Sequence, residues 1–268
     1  MKLIGFCIKA TFLMLIRSIE GFMKQILSNH TIQYFETIEL SELMEKRLLS
    51  RFDRKYVIPI DKVESLLELA KTEYQILKIG EKTEHQYISH YFDTQKYSLY
   101  LNHHNKRKVR FKLRTREYID SHIRFAEIKL KEKNSLTHKY RLNIEQNQNG
   151  MKEIHHLMKY YTKELPELIK TISISYKRKT FFHKIKDQRI TIDTDICFSE
   201  NGIEKSIPNI AILEVKYSGA KQNSKTPFSH LIHKFEHNFS KYCIGVALLH
   251  PDIKQNNFLF TLKKIINI

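Results

Sequence analysis

The sequence predicts an α+β protein built on a closed, eight-stranded antiparallel β-barrel that forms a tunnel, with a few flanking helices. The first observation is the number of strand-like runs, about eight, most of them joined by connections of hairpin length. The second is the composition, since 41% hydrophobic and 11% aromatic residues are enough for a core in a chain of 268 residues. The third is that 7 Gly and 5 Pro are scattered, so one domain is expected over residues 23–268.

Local patterning places the elements in order. Asp61 with Glu64 forms a capping box that opens one helix, and Thr226 followed by Pro227 opens another. The predicted helices span residues 38–49, 61–77, 151–170 (broken by Pro166) and 226–238. The predicted strands span residues 51–60, 87–94, 108–118, 122–131, 139–144, 172–182, 188–197, 210–217 and 242–249, with a polar turn at 102–106.

Residues 1–22 differ from the rest of the chain. Leu3 to Ile19 is apolar, but Lys9 interrupts this stretch and Arg17 closes it, so the uninterrupted part is too short to span a bilayer. Three interpretations stay open: an amphipathic surface helix, a poor signal sequence, and an upstream start codon with the true start at Met23. We favour the third, because domain-like patterning begins shortly after Met23.

The chain is strongly basic, with 46 Lys and Arg against 29 Asp and Glu and a net charge of +17. This charge points to a polyanionic partner, which can be nucleic acid, an anionic membrane surface or phosphates. The 3 Cys residues lie far apart, which fits the reducing cytosol. His230, His233 and His237 share one helical face, which we interpret as a polar stripe rather than a zinc site.

The distribution of the cations follows the strand pattern. On the predicted strand 108–118 every even position from Lys108 to Arg116 is basic, while the odd positions are mostly apolar. Because residues two apart share a face of a strand, one face is cationic and the other is apolar. The pattern recurs in the following sets: Arg51, Asp53 and Lys55; Glu127, Lys129 and Lys131; Lys139 and Arg141; Tyr176 and Arg178; Arg189, Asp193 and Asp195; Glu214 and Lys216.

Two interpretations compete for these faces. On any single strand, a polar face is most simply the solvent side of an antiparallel sheet. For the whole set this is less satisfactory, because like charges on neighbouring strands destabilise a sheet. A dense anion such as polyphosphate or a nucleoside triphosphate would convert that repulsion into attraction. The pattern therefore favours cations that line an enclosed channel, which a phosphate chain enters from either end.

The few carboxylates beside these cations are candidates for metal ligands. A phosphate chain normally arrives with a divalent cation, which needs oxygen ligands. Glu214, between apolar Leu213 and Val215, is the first candidate and Glu127 is the second. For each of them the alternative is a cross-strand ion pair with a neighbouring lysine.

Eight short segments carry a resemblance to a known family. They are RFDRKY (51–56), YFDT (91–94), KLRTREY (112–118), EIK (127–129), KYR (139–141), SYKR (175–178), IDT (192–194) and LEVK (213–216). In this order they resemble the VTC (vacuolar transporter chaperone) domain, which belongs to the triphosphate tunnel metalloenzyme (CYTH-like) superfamily. The resemblance covers residues 38–246, nearly the whole predicted domain.

The resemblance implies a polyphosphate polymerase that transfers the γ-phosphoryl group of ATP to a growing chain, with Mn²⁺ or Mg²⁺ as cofactor. It implies that Glu214 holds the metal with Lys216 beside it, and that Tyr176 hydrogen-bonds a phosphate. It also implies that Lys241 occupies a basic position near the tunnel mouth, and we expect Lys216, Lys241 and Tyr176 to bind substrate. It implies phosphate binding by Lys55, Arg114, Arg116, Lys129, Lys139, Arg178 and Arg189, all of which we expect to be catalytic except Lys139, a substrate-binding residue. Lys112 and Arg141, which share the cationic faces, are added as substrate-binding candidates.

Two departures from the family bear on the activity. The eukaryotic polymerase subunits carry a phosphate-sensing domain and membrane helices that this sequence does not show, so we do not expect coupling to translocation in this chain alone. The Glu-x-Glu-x-Lys signature of tunnel triphosphatases is replaced by Arg51-x-Asp53-x-Lys55, with one carboxylate fewer. This difference favours the VTC branch over the hydrolases.

Two rival functions stay open: a tunnel triphosphatase, and a non-catalytic module that binds polyphosphate or nucleic acid. Nucleic acid is not expected, because Phe111, Tyr118 and Phe125 share no consistent face with the cations. We expect ATP and polyphosphate as ligands and a cytoplasmic location, with the inner face of the membrane as a peripheral site and a membrane protein as a candidate partner. The oligomeric state is left open.

Overall fold

The structure is a computed structural model that describes residues 31–43, 52–132, 137–145, 148–162, 166–219 and 224–266. Its strands are β1 (Glu36–Glu39), β2 (Phe52–Pro59), β3 (Tyr74–Lys78), β4 (Glu84–Asp93), β5 (Arg110–Tyr118), β6 (Ile123–Lys131), β7 (Thr137–Asn143), β8 (Ile169–His183), β9 (Gln188–Glu200), β10 (Ile203–Ser206) and β11 (Ile210–Tyr217). Its α-helices are α1 (Leu40–Leu43), α2 (Val63–Ala70), α3 (Ser98–His104), α4 (Met151–Met158), α5 (Ser229–Ile232), α6 (Lys241–Leu249) and α7 (Leu259–Ile266). The predictions for residues 1–22, Met23 and Arg51 lie outside the described residues.

The strands form one mostly antiparallel sheet, so the predicted α+β class is confirmed. Eight strands hydrogen-bond in the order β2-β11-β9-β8-β4-β5-β6-β7. Strand β1 pairs in parallel with β3, while β3 joins β8 and β10 joins β9. The predicted closed barrel is not confirmed, because within the described part of the chain the end strands β2 and β7 do not pair. Closure of a barrel requires a continuous ladder of hydrogen bonds.

Helices cover the outer side of the sheet in two places. The apolar side of α2, with Leu66 and Leu67, packs with Ile58 of β2 and Leu213 of β11. Helix α4 packs through Ile154, Leu157 and Met158 against Leu113, Ala126 and Ile128, which lie on β5 and β6. Both contacts use the apolar positions that alternate with the basic ones. The outer side is thereby buried, and the basic positions are left on the other side.

Helix α6 replaces the predicted strand 242–249, and that prediction is wrong. Tyr242 to Ala247 are all buried. The segment therefore has no polar face whose spacing would distinguish a helix from a strand. Ser240 begins the helix by accepting a hydrogen bond from the backbone N–H of Cys243 at 3.3 Å. Gly245 lies so close to β8 and β9 that an added Cβ would meet the Phe198 ring at 2.5 Å and Ile172 at 2.8 Å.

Several element boundaries also differ from the predictions. The helix predicted to reach residue 77 ends at Ala70, because β3 takes up Tyr74–Lys78 as a partner of β8. The predicted capping box is wrong, since Glu64 accepts a hydrogen bond from Thr31 instead and no side chain caps the helix start. The predicted polar turn at 102–106 is largely helix α3. In the described residues no helix is both long and apolar enough to cross a bilayer.

The segment 226–238 is shorter as a helix than the sequence suggests. It forms α5 and one 3₁₀ turn over His233–Phe235, and then runs beside β2, where the backbone N–H of His237 donates to the carbonyl of Lys55 at 2.8 Å. The helix predicted at 151–170 likewise ends at Met158, and β8 begins at Ile169. At the start of the chain, β1 and α1 stand where a helix over 38–49 was predicted, and residues 44–49 are not described.

Candidate functional site

The pairing register brings the predicted site residues of the strands to one side of the sheet. Directly paired residues of antiparallel strands project to the same side. The linking pairs are Lys55 with Glu214, Lys216 with Arg189, Arg178 with Asp193, Tyr176 with Tyr87, Tyr91 with Arg114, Arg114 with Glu127, Glu127 with Arg141, Lys112 with Lys129, and Lys129 with Lys139. We call this side the inner face. It holds Lys55, Lys112, Arg114, Arg116, Glu127, Lys129, Lys139, Arg141, Tyr176, Arg178, Arg189, Glu214 and Lys216.

Asp195 does not follow the alternation that grouped it with Arg189 and Asp193. The register of β8 with β9 shifts between Ser175 and Lys177, and Asp195 has a positive φ of 50°. An extra residue at such a bulge turns the following side chains to the other side. Asp195 therefore lies away from the inner face, 2.9 Å from Lys177.

Side chains from the two ends of the sheet approach one another across the inner face. Lys129 lies on β6, beside the end strand β7, whereas Asp53 and Lys55 lie on the other end strand, β2. Burial lowers the pKa of Lys129 to about 8, helped by Lys112 and Lys139, and both Asp53 and Lys55 act on it as well. Such an influence requires proximity, since Coulomb interactions weaken with distance and screening. The sheet therefore curves until its end strands face one common space.

A carboxylate held by lysines lies at the β2 end of this space. Lys55 Nζ is 2.8 Å from Glu214 and also contacts Asp53, and Lys216 Nζ is 3.0 Å from the other oxygen of Glu214. Burial alone would raise the pKa of Glu214, but Lys216 and Lys55 hold it well below its ordinary value. Burial lowers the pKa of Lys216 to about 7, because attraction to Glu214 does not offset burial and the nearby Arg189. Lys216 is thus close to losing its charge at neutral pH.

Asp193 joins the sheet to the N-terminus of α6. Arg178 donates to its two oxygens at 2.5 and 2.8 Å, and Lys241 contacts the same carboxylate. Lys241 Nζ also lies 4.7 Å from the centre of the Tyr176 ring. Burial would raise the pKa of Asp193, but Arg178 and Lys241 lower it to about 2. Asp193 was not among the predicted site residues, although its spacing of four residues from Arg189 had placed it on the cationic face.

Arg114 is fixed between a carboxylate and a phenol. Its Nε donates to Glu127 at 2.6 Å and its Nη1 donates to the Tyr91 hydroxyl at 3.1 Å. Burial would raise the pKa of Glu127, but Arg114 and Arg116 hold it below its ordinary value. Glu127 therefore forms the cross-strand pair that was the alternative to metal binding, with arginine in place of lysine. Its role as a metal ligand stays a prediction.

A row of like charges crosses β5, β6 and β7. Lys112, Lys129 and Lys139 are directly paired across the three strands, and Arg110 is paired with Lys131 next to them. Such rows destabilise a sheet unless an anion lies among them. Lys112 Nζ donates to the hydroxyl of Ser240 at 2.8 Å, at the start of α6.

Aromatic rings line the inner face among the cations. Tyr87 and Tyr176 are stacked with ring centroids 5.3 Å apart, and the Arg178 guanidinium lies 5.3 Å from each ring. The hydroxyl of Tyr176 is buried and has no hydrogen-bond partner among the described residues, so it is available to a ligand. Tyr118 and Phe125 also lie on the inner face, whereas Phe111 pairs with Leu130 and packs on the outer side. The three aromatic residues thus share no common face with the cations, as predicted.

Helix α6 covers one part of the inner face and leaves another part bare. It packs with Val57 of β2, Ile212 of β11, Phe198 of β9 and Ile174 of β8, and the Tyr242 ring stacks on Tyr91 at 4.8 Å. We call the inner faces of β2, β11, β9 and β8 the first wall, and those of β5, β6 and β7 the second wall. Along the first wall, basic and acidic residues give way to the apolar ones under α6. On the second wall, by contrast, β5 keeps a cation at every inward position from Arg110 to Arg116.

The carboxylates of the first wall fit a divalent metal of the kind that the family implies. Among the described residues, no three His, Cys, Asp or Glu side chains form a group that would hold an ion by themselves. Mg²⁺ is usually bound by one or two carboxylates together with substrate phosphates. Glu214 and Asp53, which share contacts with Lys55, match that pattern. Asp53 was not predicted as a ligand, although it stands in the carboxylate position of the triphosphatase signature.

The chain is similar to one protein family and to several solved structures. The VTC domain matches residues 50–250, and no curated protein sequence matches the chain. A putative adenylate cyclase from Bacillus halodurans is 15% identical, with 70% of this chain and 92% of that chain covered and a TM-score of 0.47. A Vibrio parahaemolyticus counterpart is 13% identical, with 72% and 97% covered and a TM-score of 0.45. HpAC1 from Hippeastrum, a putative adenylyl cyclase described as having a dominant triphosphatase activity, is 11% identical, with 74% and 96% covered and a TM-score of 0.46.

These TM-scores are too low to carry an argument, so the assignment rests on the family match. The fold and the site define an α+β protein with a curved, mostly antiparallel sheet and a cationic inner face. Within that class the chain belongs to the VTC domain family, whose match covers most of its length. The resemblance drawn from the eight sequence segments is thereby confirmed.

Proposed function

We propose that this protein is a polyphosphate polymerase, which transfers the γ-phosphoryl group of ATP to the end of a growing polyphosphate chain on the inner face. The observation that carries the proposal is the convergence of cations. Every strand of the eight-stranded path except β4 contributes a Lys or Arg to the inner face. A linear phosphate chain carries one negative charge or more on each unit, so it satisfies many such cations at once.

The transfer asks for positioning and charge stabilisation rather than for a covalent protein intermediate. The terminal phosphate oxygen of the chain attacks the γ-phosphorus of ATP, the bond between that phosphorus and the β,γ-bridging oxygen breaks, and ADP leaves. Because the chain end is already an anionic nucleophile, no Ser or Cys is required. Arg114 and Arg178 are well suited to aligning the two phosphates, since carboxylates fix both guanidinium groups in place.

The other inner-face residues have supporting roles in this scheme. Lys55, Arg116, Lys129 and Arg189 stabilise the charge that develops on the transferred group and on ADP. Lys112, Lys139, Arg141, Tyr176, Lys216 and Lys241 bind the chain. Mn²⁺ or Mg²⁺, held by Glu214 and Asp53, would supply further neutralisation of the phosphate charge. We also propose a cytoplasmic location, because ATP is the donor. A membrane protein is proposed as a partner.

Incubation of the purified protein with ATP and Mn²⁺ tests the proposal. We expect polyphosphate that stains as a ladder on a gel, and release of ADP rather than orthophosphate. Arg114→Ala removes a fixed guanidinium from the inner face and should abolish product while circular dichroism shows an intact fold. Full activity of that variant would contradict the site.

The same assay separates the rival functions. Release of orthophosphate without polymer would identify a tunnel triphosphatase, which is the expectation if water rather than a phosphate chain attacks the γ-phosphorus. Binding of polyphosphate without turnover would identify a non-catalytic module. Glu214→Gln is expected to remove the dependence of the rate on Mn²⁺, and an unchanged Mn²⁺ titration would contradict its role as a ligand.

A further inference from the structure

The second wall continues as a cationic path beside α6. Helix α6 packs against residues of the first wall and of β4, and the apolar cluster around it takes from β5, β6 and β7 only a partly buried contact with Tyr118. On the second wall, the row of Lys112, Lys129 and Lys139 is followed by the pair of Arg110 and Lys131 toward the start of β5. The positive charge therefore reaches the end of the strand on this side of the sheet.

The chain just before β5 extends this charge onto the surface. Residues 105–109 are all exposed, and three of them are the consecutive cations Lys106, Arg107 and Lys108. Helix α3, which leads into this segment, lies beside β5. Burial lowers the pKa of His103 to about 3, assisted by Lys112 and Arg110, and its Nε2 lies 3.0 Å from the carbonyl oxygen of Phe111. The exposed cations of residues 106–108 thus directly precede, along the chain, the inward cations of β5.

This extension has no counter-charge of its own. The sequence contains no Asp or Glu from Thr94 to Arg116, whereas it contains the following cations: Lys96, Lys106, Arg107, Lys108, Arg110, Lys112, Arg114 and Arg116. Within the described part of the chain, Lys106, Arg107, Lys108, Arg110 and Lys131 form no salt bridge. The Nε of Arg110 is buried and has no hydrogen-bond partner among those residues. A buried donor without a partner is costly, so a ligand acceptor at this position would stabilise it.

We propose that Lys106, Arg107 and Lys108, together with Arg110 and Lys131, form an external polyphosphate-binding surface that continues the second wall. This inference rests on the proposed function and goes beyond it. A chain that outgrows the inner face leaves beside α6 and lies on this surface, which keeps it attached between transfer steps. Residues 105–109 contain no aromatic side chain, so they offer phosphate contacts without the stacking platform that single-stranded nucleic acid uses.

Equilibrium binding of two probes tests this surface: tripolyphosphate, which the inner face accommodates, and a long polyphosphate chain that extends beyond it. The variant K106A/R107A/K108A is compared with the wild type and with a control, K62A/K152A/K205A, which removes three exposed lysines on other elements. We expect the first variant to bind the long chain about tenfold more weakly at moderate salt, because each lost contact removes counterion release. Its slope of log affinity against log salt should fall by about 2. Its affinity for tripolyphosphate should be unchanged, and the control should match the wild type with both probes.

Three outcomes would overturn the surface. Equal losses for both probes would mean that these cations act on the inner face or on folding, and an unchanged affinity for the long chain would mean that they do not touch it. A single-stranded RNA that binds as tightly as polyphosphate and depends on the same three residues would assign the surface to nucleic acid instead. If the wild type failed to bind tripolyphosphate while the long chain still depended on residues 106–108, the proposed active site would fail and the external surface would stand.

Discussion

The two walls of the inner face are built from strands of one sheet, yet they differ along their length. On the first wall, β2 passes from Asp53 and Lys55 to Val57, and β11 passes in the matching direction from Glu214 to Ile212. On the second wall, β5 keeps a cation at every inward position from Arg110 to Arg116. Helix α6 lies where the first wall becomes apolar. Among the described residues of the second wall, the apolar cluster around α6 takes only a partly buried contact with Tyr118.

The difference shows how one face of a sheet can both stabilise the fold and bind a charged ligand. Where inward residues are apolar, burying them under a helix contributes stability in proportion to the area removed from water. Where they are cationic, burial would be costly unless each charge is paired or meets a ligand. The carboxylates of the first wall pair with its cations, as Asp193 and Glu214 do. The second wall has Glu127 alone for this purpose among its described inward residues, so it depends most on a bound anion.

The largest expected effect tests whether the side of the sheet on which a cation lies matters more for the rate than the charge itself. Arg178 faces inward on β8, and its neighbour Lys177 faces outward, where it pairs with Asp195. We expect Arg178→Ala to reduce kcat by about 10²–10³-fold, as for the loss of one preorganised donor to a transition state. Lys177→Ala should leave the rate unchanged, although it removes the same charge. Steady-state kinetics with ATP would check both, and equal losses would remove the distinction between the two sides.

The second prediction concerns the buried carboxylate of the first wall. Asp193→Asn leaves Arg178 and Lys241 without their counter-charge in a buried place. We expect a loss of about 3 kcal/mol in the free energy of unfolding, which is typical of breaking a buried ion pair from one side. Asp195→Asn, at the exposed bulge, is the matched control and should change stability little. Urea denaturation of both variants gives the comparison, and a D193N protein as stable as D195N would show that Asp193 does not hold the two cations.

The third prediction tests the packing of α6 on the first wall. Alanine in place of glycine inside a helix normally stabilises it by up to about 1 kcal/mol. At Gly245 the sign should reverse, with a loss of about 2 kcal/mol, because the new methyl group would overlap the Phe198 ring. The double variant G245A/F198L should recover part of the loss. Thermal unfolding decides the point, and a G245A protein that melts above the wild type would mean that α6 is not packed as described.

The fourth prediction addresses the second wall through pH. The pKa of Lys129 is lowered to about 8 by burial and by Lys112 and Lys139, so Lys129 loses its proton as the pH rises through that value. Affinity for tripolyphosphate, measured without metal, should therefore fall about tenfold more in the wild type than in Lys129→Arg between about pH 7 and about pH 9. The unfolded chain holds this proton to a higher pH than the folded protein does. The lysine therefore makes the free energy of unfolding of the ligand-free protein rise with pH from about 8 to about 10.5, the ordinary lysine pKa. Parallel pH profiles for the two proteins would contradict the assignment.

Much of the inner face was predictable from the sequence, because alternation depends on strand geometry alone. The even positions of 108–118 predicted the cationic side of β5, and the same spacing placed Lys129, Arg178 and Lys216 with them. The resemblance added Lys241, which comes from a helix and follows no strand period. Alternation fails where the backbone is irregular, and the bulge at Asp195 turned that residue to the other side.

The helix that covers part of the inner face, α6, could not be predicted from the same patterns. The segment Tyr242–Leu249 is apolar almost throughout, and such a run does not distinguish a buried strand from a buried helix. Strand β3 was missed because Tyr74–Lys78 continues an apolar helical pattern, and its pairing with β8 is a long-range contact. Closure was predicted from the number of strands, whereas hydrogen bonding between β2 and β7 depends on the geometry of the whole sheet.

A crystal structure of the protein soaked with tripolyphosphate would test the central claim most directly. The account predicts phosphate density on the inner face, in contact with Arg114 and Arg178 from the two walls and near the hydroxyl of Tyr176. Phosphates bound only on outer surfaces, with the inner-face cations still turned toward one another and toward solvent, would contradict it.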